Sequence, residues 1–177
     1  VVRGPPGTGK TTAVEKLFSE LGAQMGVQTV RINCQVDSTR YGVFSRIFEH
    51  IFEYEPPSSG LSFKKLFSQI TDRLADSDDI LVVVLDDVNY LFYENEVSDV
   101  LYSLLRAHET HTGARIGVVI ISSDLTLEVI EELDSRVQSV FRPEEVFFPV
   151  YDIPDISDIL QSRTRNGFYD GVIDSPE

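Results

Sequence analysis

Two kinds of apolar pattern alternate along the chain. Val14, Leu17, Phe18 and Leu21 recur at i, i+3, i+4 and i+7, which predicts a helix from about Lys10 to Met25 with Gly22 and Gly26 near its end. A β-rich run carrying Val27, Thr29, Val30 and Ile32 follows and reads as a strand ending at Cys34. Asp37-Ser38-Thr39 offers cap oxygens to a second helix with Tyr41, Phe44, Ile47, Phe48, Ile51 and Phe52 on its apolar face. An aromatic stripe at that spacing reads as core rather than as a base-stacking surface. After the Pro56–Gly60 loop, Ser62 can cap a third helix bearing Phe63, Leu66, Phe67, Ile70 and Leu74.

Ile80 to Leu85 is an unbroken apolar run closed by Asp86-Asp87, the mark of a strand buried on both faces and therefore of a parallel sheet. Helix signals return over 94–108, with Val97, Val100, Leu101, Leu104 and Leu105 on one side. Ile116 to Ile121 is the next buried strand, ending at Ser122-Ser123-Asp124; a short helix is expected after it. Val146 to Phe148 is expected as the last strand. Residues 153–165 are expected as a helix with Ile156, Ile159 and Leu160 inward. Strands alternating with helices predict an α/β fold, a doubly wound parallel sheet flanked by helices, whose ligands bind beyond the carboxyl ends of the strands.

Three chemically loaded stretches fall at such ends: Gly4 to Thr11, Asp86-Asp87, and Ser122 to Asp124. The first, Gly-Pro-Pro-Gly-Thr-Gly-Lys-Thr, fits the phosphate-binding loop G-x-x-x-x-G-K-[ST], with Val1-Val2 before it and an amphipathic helix after it. Its glycines let the backbone approach a polyphosphate, and the helix that begins there adds its positive end. Lys10 would reach the β- and γ-phosphates, and Thr11 would offer a hydroxyl to Mg²⁺. Asp86, at the tip of a hydrophobic strand, suits a carboxylate that holds Mg²⁺ through water; a turn or cap aspartate is the plainer alternative. Asp87 could orient the water that attacks the γ-phosphate, and Ser123 or Asp124 could hydrogen-bond that water from the neighbouring strand. Arg136 could face a second subunit, where an arginine stabilises transition-state charge; an ordinary surface salt bridge explains it nearly as well.

Composition narrows the classes. A chain of 177 residues with 42% hydrophobic and 25% charged content suits one globular domain. No apolar run approaches the length of a membrane span, and Cys34, the only cysteine, excludes an internal disulfide, so a cytoplasmic setting is expected. The net charge of −14 repels nucleic acid over most of the surface, so this segment cannot be the main phosphate-gripping part of a DNA-binding protein. Lys64, Lys65 and Arg73 form a small basic island, read first as a solvated helix face. His108-Glu109-Thr110-His111 has i, i+3 spacing where zinc proteases need H-E-x-x-H at i, i+4, and a charge partner at a helix end is the better reading. No G-x-S-x-G elbow occurs, and Cys34 has no evident base. Only three residues precede Gly4, where a full strand is expected, so the chain reads as a fragment with its first strand truncated.

The chain resembles the AAA+ domain of archaeal replication initiators of the origin-recognition and cell-division-control family. The likeness is carried by residues 4–11, Arg31-Ile32-Asn33-Cys34-Gln35 with Thr39-Arg40-Tyr41, Gly60-Leu61-Ser62, and Val82 to Asp87. It continues through Leu101 to Arg106, Ile121 to Leu125, Leu133 to Val137 and Val146 to Tyr151. The resemblance implies a P-loop core over 1–150 and the start of a helical lid over 151–177, with the rest of the lid and a winged helix beyond. It implies an ATP- or ADP-binding switch that recognises origins and helps load the replicative helicase, alone or with other initiator subunits, in a nucleoid-associated setting without a membrane. Nucleotide contacts then fall to Gly4, Pro5, Pro6, Gly7, Thr8, Gly9, Lys10, Thr11, Thr12, Tyr151 and Ile159, and Mg²⁺ to Thr11 and Asp86. Asp87, Ser123 and Arg136 become the catalytic set, with Arg136 facing nucleotide across a subunit interface. Most DNA affinity would lie in the winged helix, while Lys64 and Lys65 stand where these initiators carry a DNA-contacting insertion.

Three positions depart from that family's pattern: Asp87 replaces Glu, Asn89 replaces Asp, and Ser123 replaces Asn. The shorter Asp87 withdraws its carboxylate by about 1 Å, and a misplacement of that size can cost on the order of 10²-fold in rate. Serine also lacks the two amide donors of asparagine. The expectation is an ATPase that binds well and turns over slowly. A non-hydrolysing interaction module and another AAA+ machine, such as a clamp loader, are the alternatives.

Overall fold

The computed structural model describes residues 1–21, 26–57, 60–77 and 79–167. Five parallel strands form one sheet in the order β2-β3-β4-β1-β5. They are β1 (Val2–Arg3), β2 (Val27–Asn33), β3 (Ile80–Asp86), β4 (Arg115–Ser122) and β5 (Val146–Phe147). Val27 pairs with Ile80 and Asn33 with Asp86; Ile80 pairs with Arg115 and Leu85 with Ile120. Val2 lies between Ile121 and Val146. The insertion of β1 between β4 and β5 brings the first loop of the chain against the ends of two strands that come more than 100 residues later.

The helices are α1 (Lys10–Leu21), α2 (Arg40–Phe52), α3 (Phe63–Ser77), α4 (Asn89–Tyr93), α5 (Val97–Leu105), α6 (Ala107–Thr110), α7 (Ser135–Gln138) and α8 (Ile153–Gly167). Side chains of successive strand residues point to opposite faces. Leu81, Val83 and Leu85 therefore join the large core with α2, α3 and α5, while Val84 and Ile121 join Val14 of α1 on the other face. Phe44 meets the rings of Phe63 and Phe67 edge-on at 5.1 and 5.6 Å, so the aromatic stripe of α2 is core. Thr39 is the N-cap of α2, accepting from the Gly42 amide at 3.0 Å, and the Lys65 amide lies 3.4 Å from Ser62 Oγ at the start of α3.

Several expectations change. The predicted end of α1 at Met25, with Gly22, lies outside the described residues. The helix expected over 94–108 is split. Asn95 takes a left-handed φ of 58° just before α5, and Arg106 leaves helical geometry between α5 and α6. The five residues of α4 were not anticipated, because one turn and a half shows no periodicity. The short helix expected directly after Asp124 does not form; residues 125–133 are bends, turns and irregular chain, and the next helix is α7. Ile80 and β5 are partly exposed, and Ile156 and Leu160 of α8 are about half exposed rather than packed into the core.

Candidate functional site

The loop from Gly4 to Gly9 bends back on itself before α1. Gly7 and Gly9 both adopt φ of 81°, a region open to glycine at little cost. A Cβ on Gly4 would stand 3.0 Å from Cβ of Phe148 and closer still to that residue's carbonyl oxygen, so the β5 end seals one side of the loop. The Thr8 hydroxyl donates to the Pro5 carbonyl at 2.9 Å. The Lys10 ammonium, almost fully buried, donates to the carbonyls of Gly4 and Pro5, both at 2.8 Å. Burial pulls its pKa down, against the opposing pull of Asp87 and Asp86.

Below the loop, the Thr11 hydroxyl lies 3.2 and 3.3 Å from the two carboxylate oxygens of Asp86. Burial raises the Asp86 pKa, as does the charge of Asp87; Thr11, Arg31 and the Asp87 amide act in the other direction. Arg31, on β2, reaches Asp86 with Nε at 3.5 Å and pairs through Nη1 with Glu15 of α1. A hydroxyl and a carboxylate side by side are hard oxygen donors suited to Mg²⁺, so the residues fit that ion. Asp87 takes φ of 53°, its amide donating to Asp86 Oδ1 at 3.1 Å. Left-handed backbone is tolerated better by Asp and Asn than by most residues.

A cavity of about 920 Å³ opens above these groups. Pro6, Gly7, Gly9, Lys10, Thr11 and Thr12 form its floor, with Asp87 and Ser123 at one end. Phe148, Tyr151, Ile156, Ile159 and Leu160 form an apolar wall, and Lys16 of α1 and Arg163 of α8 also line it. The Tyr151 hydroxyl donates to the Thr8 carbonyl at 2.9 Å. The lining joins polar groups of the loop and the strand ends to an apolar wall, the usual make-up of a small-molecule or cofactor site.

The structure thus gathers most of the expected site residues. Gly4, Pro5 and Thr8 serve the loop's own hydrogen bonds instead of lining the cavity. Asp86 sits beneath Thr11. Asp124 faces away: it accepts from the Thr126 amide and hydroxyl and from Tyr93. Arg136 is not a wall of this cavity; it stands exposed beside Asp134 and Asp99. Arg31, Lys16 and Arg163 were missed as site residues. An arginine inside the apolar run of β2 was a legible signal for the first; nothing in the sequence tied α8 to α1 closely enough to expose the other two. Arg3 contributes at a distance, donating to the carbonyls of Leu125 and Leu127 at 3.1 Å and tying the loop after β4 to the start of the phosphate loop.

The other candidates resolve quietly. His111 Nε2 lies 2.6 Å from Asp72 of α3 and Glu109 pairs with Arg106 at 2.6 Å, so His111 and Glu109 both have partners. Among the described residues no cluster of three or more His, Cys, Asp or Glu could hold a metal. Cys34 is buried, and that burial, with the nearby Asp86, Asp87 and Asp37, pushes its thiol pKa far up and away from nucleophile chemistry. Among the described residues no helix is long and apolar enough to cross a membrane. Lys64 and Lys65 are exposed on α3.

Comparison with known proteins agrees with this geometry. The chain is 69% identical, over 99% of its length, to ORC1-type DNA replication protein 6 of Halobacterium salinarum, of which it spans 47%. The Aeropyrum pernix Orc1 protein, solved in complex with DNA, superposes with a TM-score of 0.80 at 29% identity, covering 97% of this chain and 44% of that one. The ADP form of the Aeropyrum pernix ORC2 protein superposes with a TM-score of 0.80 at 26% identity, covering 96% of this chain and 46% of that one. The chain spans about half the length of the curated relatives it matches. A family profile described as an AAA domain matches residues 1–136, and the chain, similar in sequence to ORC1-type replication proteins of archaea, belongs to the AAA domain family.

Proposed function

We propose that this chain is the ATP-binding AAA+ core of a DNA replication initiator, with residues 1–150 as the nucleotide-binding domain and α8 as the start of a helical lid. The observation that carries the reading is the convergence of Lys10, Thr11, Asp87 and Ser123 on one cavity, with Asp86 beneath Thr11. The likeness to ORC1-type replication proteins supports origin recognition and helicase recruitment as the work of the whole protein. The likeness to an Orc1 protein solved with DNA supports DNA as its partner, and relatives solved in an ADP form and with ADPNP and ADP support an adenine nucleotide as its ligand.

In this reading the triphosphate lies along the loop, and Lys10 exchanges its bonds to the Gly4 and Pro5 carbonyls for phosphate oxygens. Thr12 contacts the phosphates from the first turn of α1, and the ring of the base lies against Tyr151 and Ile159. Thr11 and Asp86 would hold Mg²⁺, which on binding neutralises charge on the β- and γ-phosphates. Asp87 orients the attacking water and Ser123 bonds it or the γ-phosphate. Arg136 serves a neighbouring subunit.

A second reading, a nucleotide-dependent interaction module with little turnover, is favoured by the short carboxylate of Asp87 and the hydroxyl of Ser123. The deciding experiment uses the full-length protein. Equilibrium binding of ATP and ADP with Mg²⁺ should be tight and should be abolished by K10A, while steady-state hydrolysis stays slow. Failure to bind either nucleotide ends both readings; fast hydrolysis ends the second.

A further inference from the structure

Arg136 follows the N-cap of α7. The cap is Asp134, whose Oδ1 accepts from the Val137 amide at 3.1 Å. The other oxygen of the same carboxylate takes the arginine: Oδ2 accepts from Nε at 3.1 Å and from Nη2 at 2.5 Å. Nη2 also reaches Asp99 of α5 at 3.4 Å. The guanidinium carbon lies 5.1 Å from the ring centre of Tyr102, one turn further along α5. That ring is itself held, because Arg106 donates to the Tyr102 hydroxyl at 2.9 Å. One edge of the guanidinium is therefore anchored, and the plane has a ring for support.

The opposite edge is free. Among the described residues Nη1 of Arg136 has no hydrogen-bond partner, and the side chain is 57% exposed. A long side chain on a surface loses rotamer entropy when it is held in one geometry, so such holding is a cost in an isolated chain. It becomes useful if an anion must be met in a set direction, because the planar fork of arginine then arrives pre-oriented. The same carboxylate cannot be explained by the cap alone, since capping uses only Oδ1.

We propose that Asp134, helped by Asp99, is a positioning residue for Arg136: it fixes the Nε–Nη2 edge so that the Nη1 edge faces the γ-phosphate of ATP bound to a second copy of the chain. This rests on the reading of Arg136 as a residue that acts across a subunit interface. Neither aspartate touches the nucleotide; both act through the arginine.

Asn is as good an N-cap as Asp, so Asp134→Asn keeps the bond to Val137 and removes the charged acceptor of the arginine. The test measures ATP hydrolysis per site by the full-length protein over a series of protein concentrations, with ATP affinity and thermal midpoint measured beside it. The expected result is a concentration-dependent rate that falls about 10-fold or more in D134N, with affinity and midpoint unchanged. R136A should fall at least as far, and the double variant no further than R136A. D99N, which leaves α7 untouched, should lower the rate in the same direction by a smaller factor. If R136A falls while D134N and D99N match the wild type, the positioning role is overturned and the arginine's role stands. If the wild-type rate does not rise with concentration, or R136A equals it, the role of Arg136 across the interface is lost and the positioning role with it.

Discussion

The phenol oxygen of Tyr151 lies 2.6 Å from the place a Cβ on Gly9 would occupy, while the same hydroxyl donates to the Thr8 carbonyl at 2.9 Å. A residue some 140 positions away thus presses on the phosphate loop from above. Gly9 is constrained twice, by a φ of 81° and by this contact.

Gly9→Ala should therefore destabilise the fold by about 2 kcal/mol: about 1 for the left-handed backbone and about 1 for the hydrogen bond lost when Tyr151 is displaced. ATP affinity should fall with it. Tyr151→Phe loses only the bond and should cost about 1 kcal/mol. In the Tyr151→Phe background Gly9→Ala should cost less than it does alone, because no hydroxyl remains to be pushed aside. Urea denaturation of the four proteins tests this; strict additivity would show that the two residues do not interact.

Arg31 supports a prediction of a different kind. It joins Glu15 of α1 to the buried carboxylate of Asp86, linking the helix after the loop to the strand tip beneath it. Arg31→Met leaves Asp86 with fewer partners and should destabilise by about 1–2 kcal/mol, a range lowered because the arginine is partly exposed. Arg31→Lys should recover only part of this, since an ammonium cannot present two donors in two fixed directions. A Lys variant as stable as the wild type in chemical denaturation would show that charge alone matters here.

Much of this architecture was legible because burial dictates pattern. The Ile80 to Leu85 run identified a strand covered on both faces, and Thr39 and Ser62 marked the starts of α2 and α3. The phosphate loop was legible because each of its glycines and its lysine has a separate task. What escaped depended on contacts between distant segments. Nothing in the composition of α8 says that Arg163 shares a cavity with Lys16. The break before α5 depends on one backbone angle at Asn95, and asparagine is common inside helical patterns too. The apolar stripe of α8 was legible, but not that Ile156 and Ile159 face the nucleotide cavity instead of the core, since periodicity reports a face and not its neighbour.

Asp87→Glu should have two opposed effects. In the proposed role of Asp87, the longer side chain adds about 1 Å of reach toward the γ-phosphate, and single-turnover hydrolysis should rise, on the order of 10-fold or more. The position has φ of 53°, where Glu is less at ease than Asp, so stability should drop by about 1 kcal/mol. A rate that is unchanged or lower in the folded variant would show that carboxylate length is not what limits turnover.

The loop after β4 should respond to acid through Asp124. The Thr126 hydroxyl at 2.7 Å and amide at 2.9 Å both donate to its Oδ1, and the Tyr93 hydroxyl reaches Oδ2 at 3.3 Å. These donors hold its pKa below the ordinary 3.8, the Thr126 hydroxyl contributing most. A carboxylate whose folded pKa is depressed adds stability that is fully present above its unfolded value. That contribution is lost as pH falls through the folded value. Asp124 should thus stabilise the protein at neutral pH, and this contribution should begin to fade only near its unfolded value of about 4 and be lost as the pH falls further, through the lower folded value. Asp124→Asn removes the ionisation, so the thermal midpoints of variant and wild type should differ at pH 7 and converge as the pH approaches 3. The carboxylate is only partly buried, and salt should shrink the difference. Curves that stay parallel down to pH 3 would mean that Asp124 contributes through shape and not through charge.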